Sequence, residues 1–241
     1  MNPRVSVFLI FTFILFSCST EVKEAPVELV TSKNLVSEID TFYGGGNLLC
    51  INDTTEAVFK QFKKIKFDNS DYKNIERDAA FVKRIGDTLF LKLSIGDLKK
   101  LVSNNNAESD SLVHYDYICK LENINYYLIF MYGHEWFSYL AVNSKTGKET
   151  YLCGEPAVSP NKKYLAASCC DLQAGFVFNG IEMYDVESDS LKLNWKRELT
   201  KWGANELAWI DDHNLIVKKQ QLDSASQNLV SSYIKLSCGA K

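Results

Sequence analysis

Apolar and polar residues are arranged in three different ways along this chain, and each arrangement predicts a different kind of element. The first is a block. Residues 5–16 are apolar except for Ser6 and Thr12, follow the lone Arg4, and give way to Ser19-Thr20-Glu21. About 12 apolar residues are too few for a membrane-spanning helix, which needs about 20, and the layout is that of a secretory signal. Residues 19–40 are mostly polar, carry Pro26 and keep no sustained period, which reads as a tether with a short strand at 27–30. The second arrangement is helical. Val58, Phe59, Phe62 and Ile65 share one face, Lys60, Lys63 and Lys64 take the other, and Asp53-Thr54-Thr55-Glu56 ahead of them resembles a capping box. One short helix over 54–66 is expected, with its lysine face in solvent, and 97–102 reads as a further helical turn.

From Asp78 onward the period is two, rich in β-branched and aromatic residues. Turn signals interrupt it at Ile85-Gly86-Asp87, Glu122-Asn123, Ser144-Lys145-Thr146-Gly147, Pro160-Asn161-Lys162, Glu187-Ser188-Asp189 and Asp211-Asp212-His213-Asn214. Each joins two strand-like runs, which predicts antiparallel hairpins and an all-β fold. No strand-helix-strand alternation supports a parallel α/β fold. The second strands of successive hairpins centre on Leu89, Tyr127, Tyr164 and Leu215, spaced 38, 37 and 51 residues apart. Two four-stranded meanders can be written, over 115–121, 126–132, 136–142 and 149–152, then over 156–159, 163–169, 180–186 and 191–196.

A family resemblance enters at Glu155-Pro156-Ala157-Val158-Ser159-Pro160-Asn161-Lys162-Lys163-Tyr164-Leu165-Ala166. This run resembles the P-x-hydrophobic-S-P-D-G-K-x-L-A core of WD40-like, TolB-type β-propeller repeats, with Asn161-Lys162 standing where the pattern has Asp-Gly. Ile181-Glu182-Met183-Tyr184-Asp185-Val186 resembles the third strand of such a blade, and Leu207-Ala208-Trp209-Ile210-Asp211-Asp212 begins a weaker second copy. The resemblance covers about a third of the chain. It implies an irregular or small β-propeller-like domain and is silent on activity. A β-sandwich or barrel is the alternative for evenly spaced strands. In a closed ring the last unit, 206–210, 215–219 and 229–236, is one strand short, and an early strand at 47–51 would complete it. That arrangement brings Cys50 near Cys238, so a Cys50–Cys238 disulfide is expected.

Leu15-Phe16-Ser17-Cys18 resembles the lipobox of bacterial lipoproteins. The resemblance implies diacylglyceryl on the Cys18 thiol, cleavage before it and acylation of the new amine. The expected organisation is a signal peptide over 1–17, a lipidated tether over 18–40 and a single β-rich domain over 41–241. Several acyl chains hold a protein firmly to a bilayer, so the expected place is the cell envelope. Ser19 in place of the Asp of inner-membrane retention implies the outer membrane, facing periplasm or medium. Removal of 1–17 leaves 224 residues and moves the formal charge from -3 to -4, which argues against a nucleic-acid partner. Of seven cysteines, Cys18 sets aside one. Cys50, Cys119, Cys153, Cys169, Cys170 and Cys238 remain as disulfide candidates in an oxidising compartment, or as small buried apolar residues.

Catalytic signatures do not assemble. His134-Glu135 lacks the second histidine and the helix of a zinc protease, and His114 and His213 have no ligand partners at metal spacing. There is no G-x-S-x-G elbow, Gly44-Gly45-Gly46 is not followed by the Lys-Ser/Thr of a phosphate loop, and Asp211-Asp212 sits in a turn. No catalytic set, metal or cofactor is expected. The aromatic residues Tyr126, Tyr127, Phe130, Tyr132, Trp136, Phe137 and Tyr139 alternate along two adjoining strands, so half should face a core and half the other side of the sheet. An exposed row with Tyr132 and Trp136 suits stacking on sugars or anchoring a protein. The connection 171–179 carries Phe176 and Phe178 and is the second recognition candidate. Finally, Asp-Ser/Thr before a small or apolar residue resembles the O-glycosylation sequon of exported proteins in one bacterial lineage. It marks Thr54, Thr88, Ser111, Ser190 and Ser224, although the same dipeptide also suits a turn entering a strand. The expected function is a non-enzymatic, lipid-anchored module that binds a protein or glycan at the envelope. The alternatives are an envelope-polymer hydrolase using loop carboxylates, or a structural or inhibitory lipoprotein.

Overall fold

Each turn signal read from 85 to 214 is a corner between two paired strands. The computed structural model describes residues 41–44, 47–63, 67–106, 111–226 and 228–238, with backbone alone at 41–44, 47–51 and 238, and all of them fall in a unit spanning 39–241. Cys18, the signal and the tether lie outside the described residues, as do the side chains of Cys50 and Cys238.

The chain enters through the hairpin β1 (Thr41–Gly44) and β2 (Asn47–Thr54), followed by α1 (Glu56–Phe62) and α2 (Asp71–Arg77). A three-stranded sheet comes next: β3 (Val82–Ile85), β4 (Thr88–Lys92) and β5 (Leu98–Val102). Two four-stranded meanders follow. The first is β6 (His114–Leu121), β7 (Tyr126–Tyr132), β8 (Phe137–Asn143) and β9 (Glu149–Leu152). The second is β10 (Pro156–Val158), β11 (Tyr164–Cys169), β12 (Gly180–Val186) and β13 (Leu191–Glu198). The last strands are β14 (Gly203–Trp209), β15 (Asn214–Leu222) and β16 (Leu229–Cys238). The early strand does complete this final sheet, whose order is β1-β2-β16-β15-β14, and its register sets Cys50 opposite Ser237 and Leu49 opposite Cys238.

Each sheet packs on the next. Leu89, Leu91 and Leu101 of the first meet Tyr127, Ile129 and Leu140 of the second. The second sheet's other face, with Leu128, Ala141 and Leu152, meets Leu165, Ala167 and Tyr184 of the third. The third sheet's other face, with Ala166, Ile181 and Met183, meets Leu207, Leu215 and Val217 of the last. The far face of the last sheet is covered by α1, through Phe59 on Ala208 and Ile216. Two-sided burial turns β7 into a nearly unbroken apolar run, in place of the expected alternation between core and outer side. Each large apolar side chain so buried stabilises the fold by about 1.5–3 kcal/mol.

Three local expectations change. Residues 98–102 are a strand. Leu98, Leu101 and Val102 have helical spacing, but Leu101 faces the core while Leu98 and Val102 face outward, paired across from Lys92 and Thr88. The N-cap of α1 is Thr55, whose hydroxyl accepts from Val58 N at 3.4 Å; Asp53 and Thr54 belong to β2. The helix α2 is additional to the single one expected. It has no apolar stripe, because its work is polar: it caps the edge of β6 left free by β7. Asp71 Oδ1 accepts from Tyr117 N at 2.6 Å, Asn74 Nδ2 donates to Tyr117 O at 3.1 Å, and Arg77 donates to Ile118 O at 3.0 Å. Arg84, held by Asp71, donates to Tyr115 O. An unpaired edge is a template for aggregation, and these side chains occupy it.

The Asn161-Lys162 departure has a visible consequence. Lys162 sits at φ +63°, in the left-handed region where the repeat pattern has Gly. Asn161 Oδ1 accepts from Lys163 N at 2.9 Å and from the Ser159 hydroxyl at 2.8 Å, so the turn is kept by side chains. Lys162→Gly is expected to raise stability by about 0.5–1 kcal/mol, read as a higher urea midpoint at unchanged slope. An unchanged or lower midpoint would show that the turn carries no strain.

Candidate functional site

One face of β6–β8 runs from the core out to solvent, and its outer end is aromatic. Antiparallel register builds two cross-strand rows there: His114, Tyr132 and Phe137, and beneath them Asp116, Phe130 and Tyr139. The His114 and Tyr132 rings stack at 4.9 Å and 18°. Phe130 lies 5.5 Å from Tyr132, 5.9 Å from Phe137 and 5.2 Å from Tyr139. Tyr139 is rooted in the core, where burial pushes its hydroxyl up to about 12, whereas Phe137 is 38% exposed. Contact between rings limits their freedom, so the platform is organised before anything binds.

The platform has one acidic edge. Asp116 lies in the row beneath Tyr132, and its carboxyl is pushed above the ordinary range by partial burial and next by the charge of Asp71. The Tyr132 hydroxyl is raised in turn by burial and by Asp116. Asp71 itself is committed to structure: Arg84 donates to it twice, at 2.8 and 2.9 Å, and Tyr117 N donates to it as well.

Trp136 does not join Tyr132 in one row. It packs with the Tyr127–Met131 core on the other side of the sheet and covers Gly133, where a Cβ would come within 2.6 Å of the indole. The connection after β11 is also ordered. The Asp171 carboxylate accepts from Ala174 N and Gly175 N at 2.9 Å each, from Phe176 N at 2.7 Å and from Val177 N at 3.0 Å. These donors, Val177 first, hold its carboxyl below the usual range. Asn179 closes the base, accepting from Asp171 N and donating to Leu199 O and Trp202 O. Phe176 projects from this loop, 59% exposed, while Phe178 lies under the Lys196 ammonium at 3.9 Å. The two phenylalanines therefore serve different surfaces.

Among the glycosylation candidates, Thr54 and Thr88 are half-buried in strands, and Ser111 and Ser224 are exposed beside turns. Ser190 is buried, and its hydroxyl donates to Glu187 at 3.1 Å in the turn entering β13. Cys119, Cys153, Cys169 and Cys170 are free thiols; burial pushes Cys119 up to about 12 and Cys169 up to about 11, far from the thiolate form that reacts. Among the described residues no three His, Cys, Asp or Glu side chains gather as a metal site, and no helix is long and apolar enough to cross a membrane.

His114 and Asp116 were not among the recognition residues expected from sequence. Counting back from the Glu122-Asn123 turn places Tyr115 opposite Tyr132. A bulge between Tyr117 and Cys119 shifts the register by one and brings His114 and Asp116 to the platform instead. Comparison of the chain with the models of known protein families gives no match, and comparison with curated proteins gives none either.

Proposed function

We propose that this protein is a lipid-anchored, non-enzymatic binding module of the bacterial cell envelope, and that its aromatic platform takes a glycan. The observation that carries the reading is the half-exposed row His114–Tyr132–Phe137, backed by Phe130 and edged by the Asp116 carboxyl. Sugars present flat C–H faces that stack on rings, and hydroxyls that donate to a carboxylate. The anchor rests on Leu15-Phe16-Ser17-Cys18, and Ser19 after it supports the outer membrane as the place of a propeller-like body. The test is a glycan array of envelope polysaccharides probed with the wild type, Tyr132→Ala and Phe137→Ala. Each lost ring is expected to weaken binding about threefold to tenfold. Binding that neither variant alters would contradict the platform as the site.

A protein partner is the second reading, favoured by Phe176 on the loop that Asp171 organises. An exposed phenylalanine on a preorganised loop is a suitable anchor for a pocket. In that case Phe176→Asp abolishes capture of the partner while the glycan array stays empty. The hydrolase alternative calls for loop carboxylates; Asp116 lies in β6, and Asp71, whose charge acts on it, is already held by Arg84 and Tyr117.

A further inference from the structure

The outward face of the three-stranded sheet is built only from lysines, apolar residues and one threonine. Register gives its rows. Lys83, Phe90 and Lys100 form one, Ile85, Thr88 and Val102 the next, and Lys92 lies beside Leu98. The inward face of the same strands buries Val82, Leu89, Leu91 and Leu101 in the core, so alternation leaves these eight residues facing away from it. Ile85 is 61% exposed and Val102 59%, and Ile95 projects from the adjoining turn at 69%.

The cations here differ from the others in the sheet. Arg84 and Lys99 are paired with Asp71 and Glu149. Lys83 and Lys100 instead hold their ammonium groups over Phe90, at 5.3 and 5.8 Å from the ring centre. Neither they nor Lys92 are in an ion pair among the described residues. The paired rows themselves hold no carboxylate, in a chain of net charge -3, and the exposed Asp87 and Asp97 lie in the turns at the ends of the strands. A second copy docked here about a two-fold axis would set lysine rows against lysine rows. A small free anion would leave the apolar residues unused.

From this charge and chemistry we propose that the outward face of β3–β5 docks on an anionic phospholipid surface. Lys83, Lys92 and Lys100 meet the headgroup phosphates, while Phe90, Ile85, Leu98 and Val102 enter the interfacial layer. The proposal deepens the reading of the chain as a membrane-anchored protein and rests on it for proximity to the bilayer. With that face down, the body has one fixed orientation on the membrane.

The test is lysine footprinting of the full chain with a water-soluble acetylating reagent. Three conditions are compared: detergent, phosphatidylcholine vesicles, and vesicles containing phosphatidylglycerol. Modification of Lys83, Lys92 and Lys100 is expected to fall at least about fivefold on the anionic vesicles alone and to recover in high salt. Exposed Lys145 and Lys201 serve as unaffected controls. In the variant Lys83→Glu/Lys100→Glu, modification of Lys92 should return to its phosphatidylcholine rate. Equal protection on both vesicle types, or protection in detergent that grows with protein concentration, would overturn the proposal. The intact mass of the same sample reports acylation separately. An acylated, vesicle-bound chain with unprotected lysines sinks the face alone. An unacylated chain protected on anionic vesicles sinks the anchor alone, and an unacylated, unprotected chain sinks both.

Discussion

Glu182→Leu is expected to lower the free energy of unfolding by about 3 kcal/mol. Glu182 is only 5% exposed, in the middle strand pair of the third sheet, and its carboxylate serves three donors. Cys153 N donates at 2.9 Å, the Tyr184 hydroxyl at 3.0 Å and Lys196 Nζ at 2.8 Å. Leucine keeps the volume but leaves the Cys153 N–H without an acceptor. The Tyr184 hydroxyl retains Tyr151 O at 3.2 Å, and the half-exposed Lys196 can turn to water, which is why the loss falls at the low end for a broken buried pair. Glu182→Gln can still accept from Cys153 and should cost about half as much. Urea unfolding reads both variants, and a loss below about 1 kcal/mol for leucine would show that the carboxylate is not a structural hub.

Asn74→Ala carries the second large effect, about 2–3 kcal/mol. Asn74 is 2% exposed; its Nδ2 donates to Asp68 O at 2.6 Å and Tyr117 O at 3.1 Å, and its Oδ1 accepts from Arg77 at 3.1 Å. Removing it orphans two carbonyls and loosens the cap on the β6 edge. Hydrogen exchange should therefore accelerate at β6 before the rest of the sheet, and the freed edge should promote association at high concentration. Asn74→Asp keeps the acceptor, loses both donors and points charge at two carbonyl oxygens, so it should be no better than alanine. A variant with wild-type stability and unchanged exchange at β6 would remove the capping role from α2.

The pattern that made strands legible was punctuation as much as periodicity. Residues 126–132, 149–152 and 180–186 were bounded in the sequence by Asn, Gly and Asp turns, and those strands begin and end where expected. Elements defined by tertiary partners were not legible. Helix α2 owes its existence to the β6 backbone it caps, and no apolar period announces that. Leu98 to Val102 satisfied a helical spacing until the partner β4 selected the strand. The platform was half visible: its aromatic residues stood out, but the bulge after Tyr117 decided which β6 side chains joined them, and a bulge leaves no signature in composition. The lysine face of β3–β5 was hidden for a related reason, since its members are spread over three short strands and meet only through register.

In the proposed reading, location and access to envelope polymers depend on acylation of the Cys18 thiol. Growing cells on an alkyne-bearing fatty acid and labelling the isolated protein tests it directly. Incorporation into the wild type, and none into Cys18→Ala, is the outcome the proposed anchor predicts from the lipobox-like Leu15-Phe16-Ser17-Cys18. Equal incorporation into both chains, or none into either with Met1 still in place, would contradict the anchor.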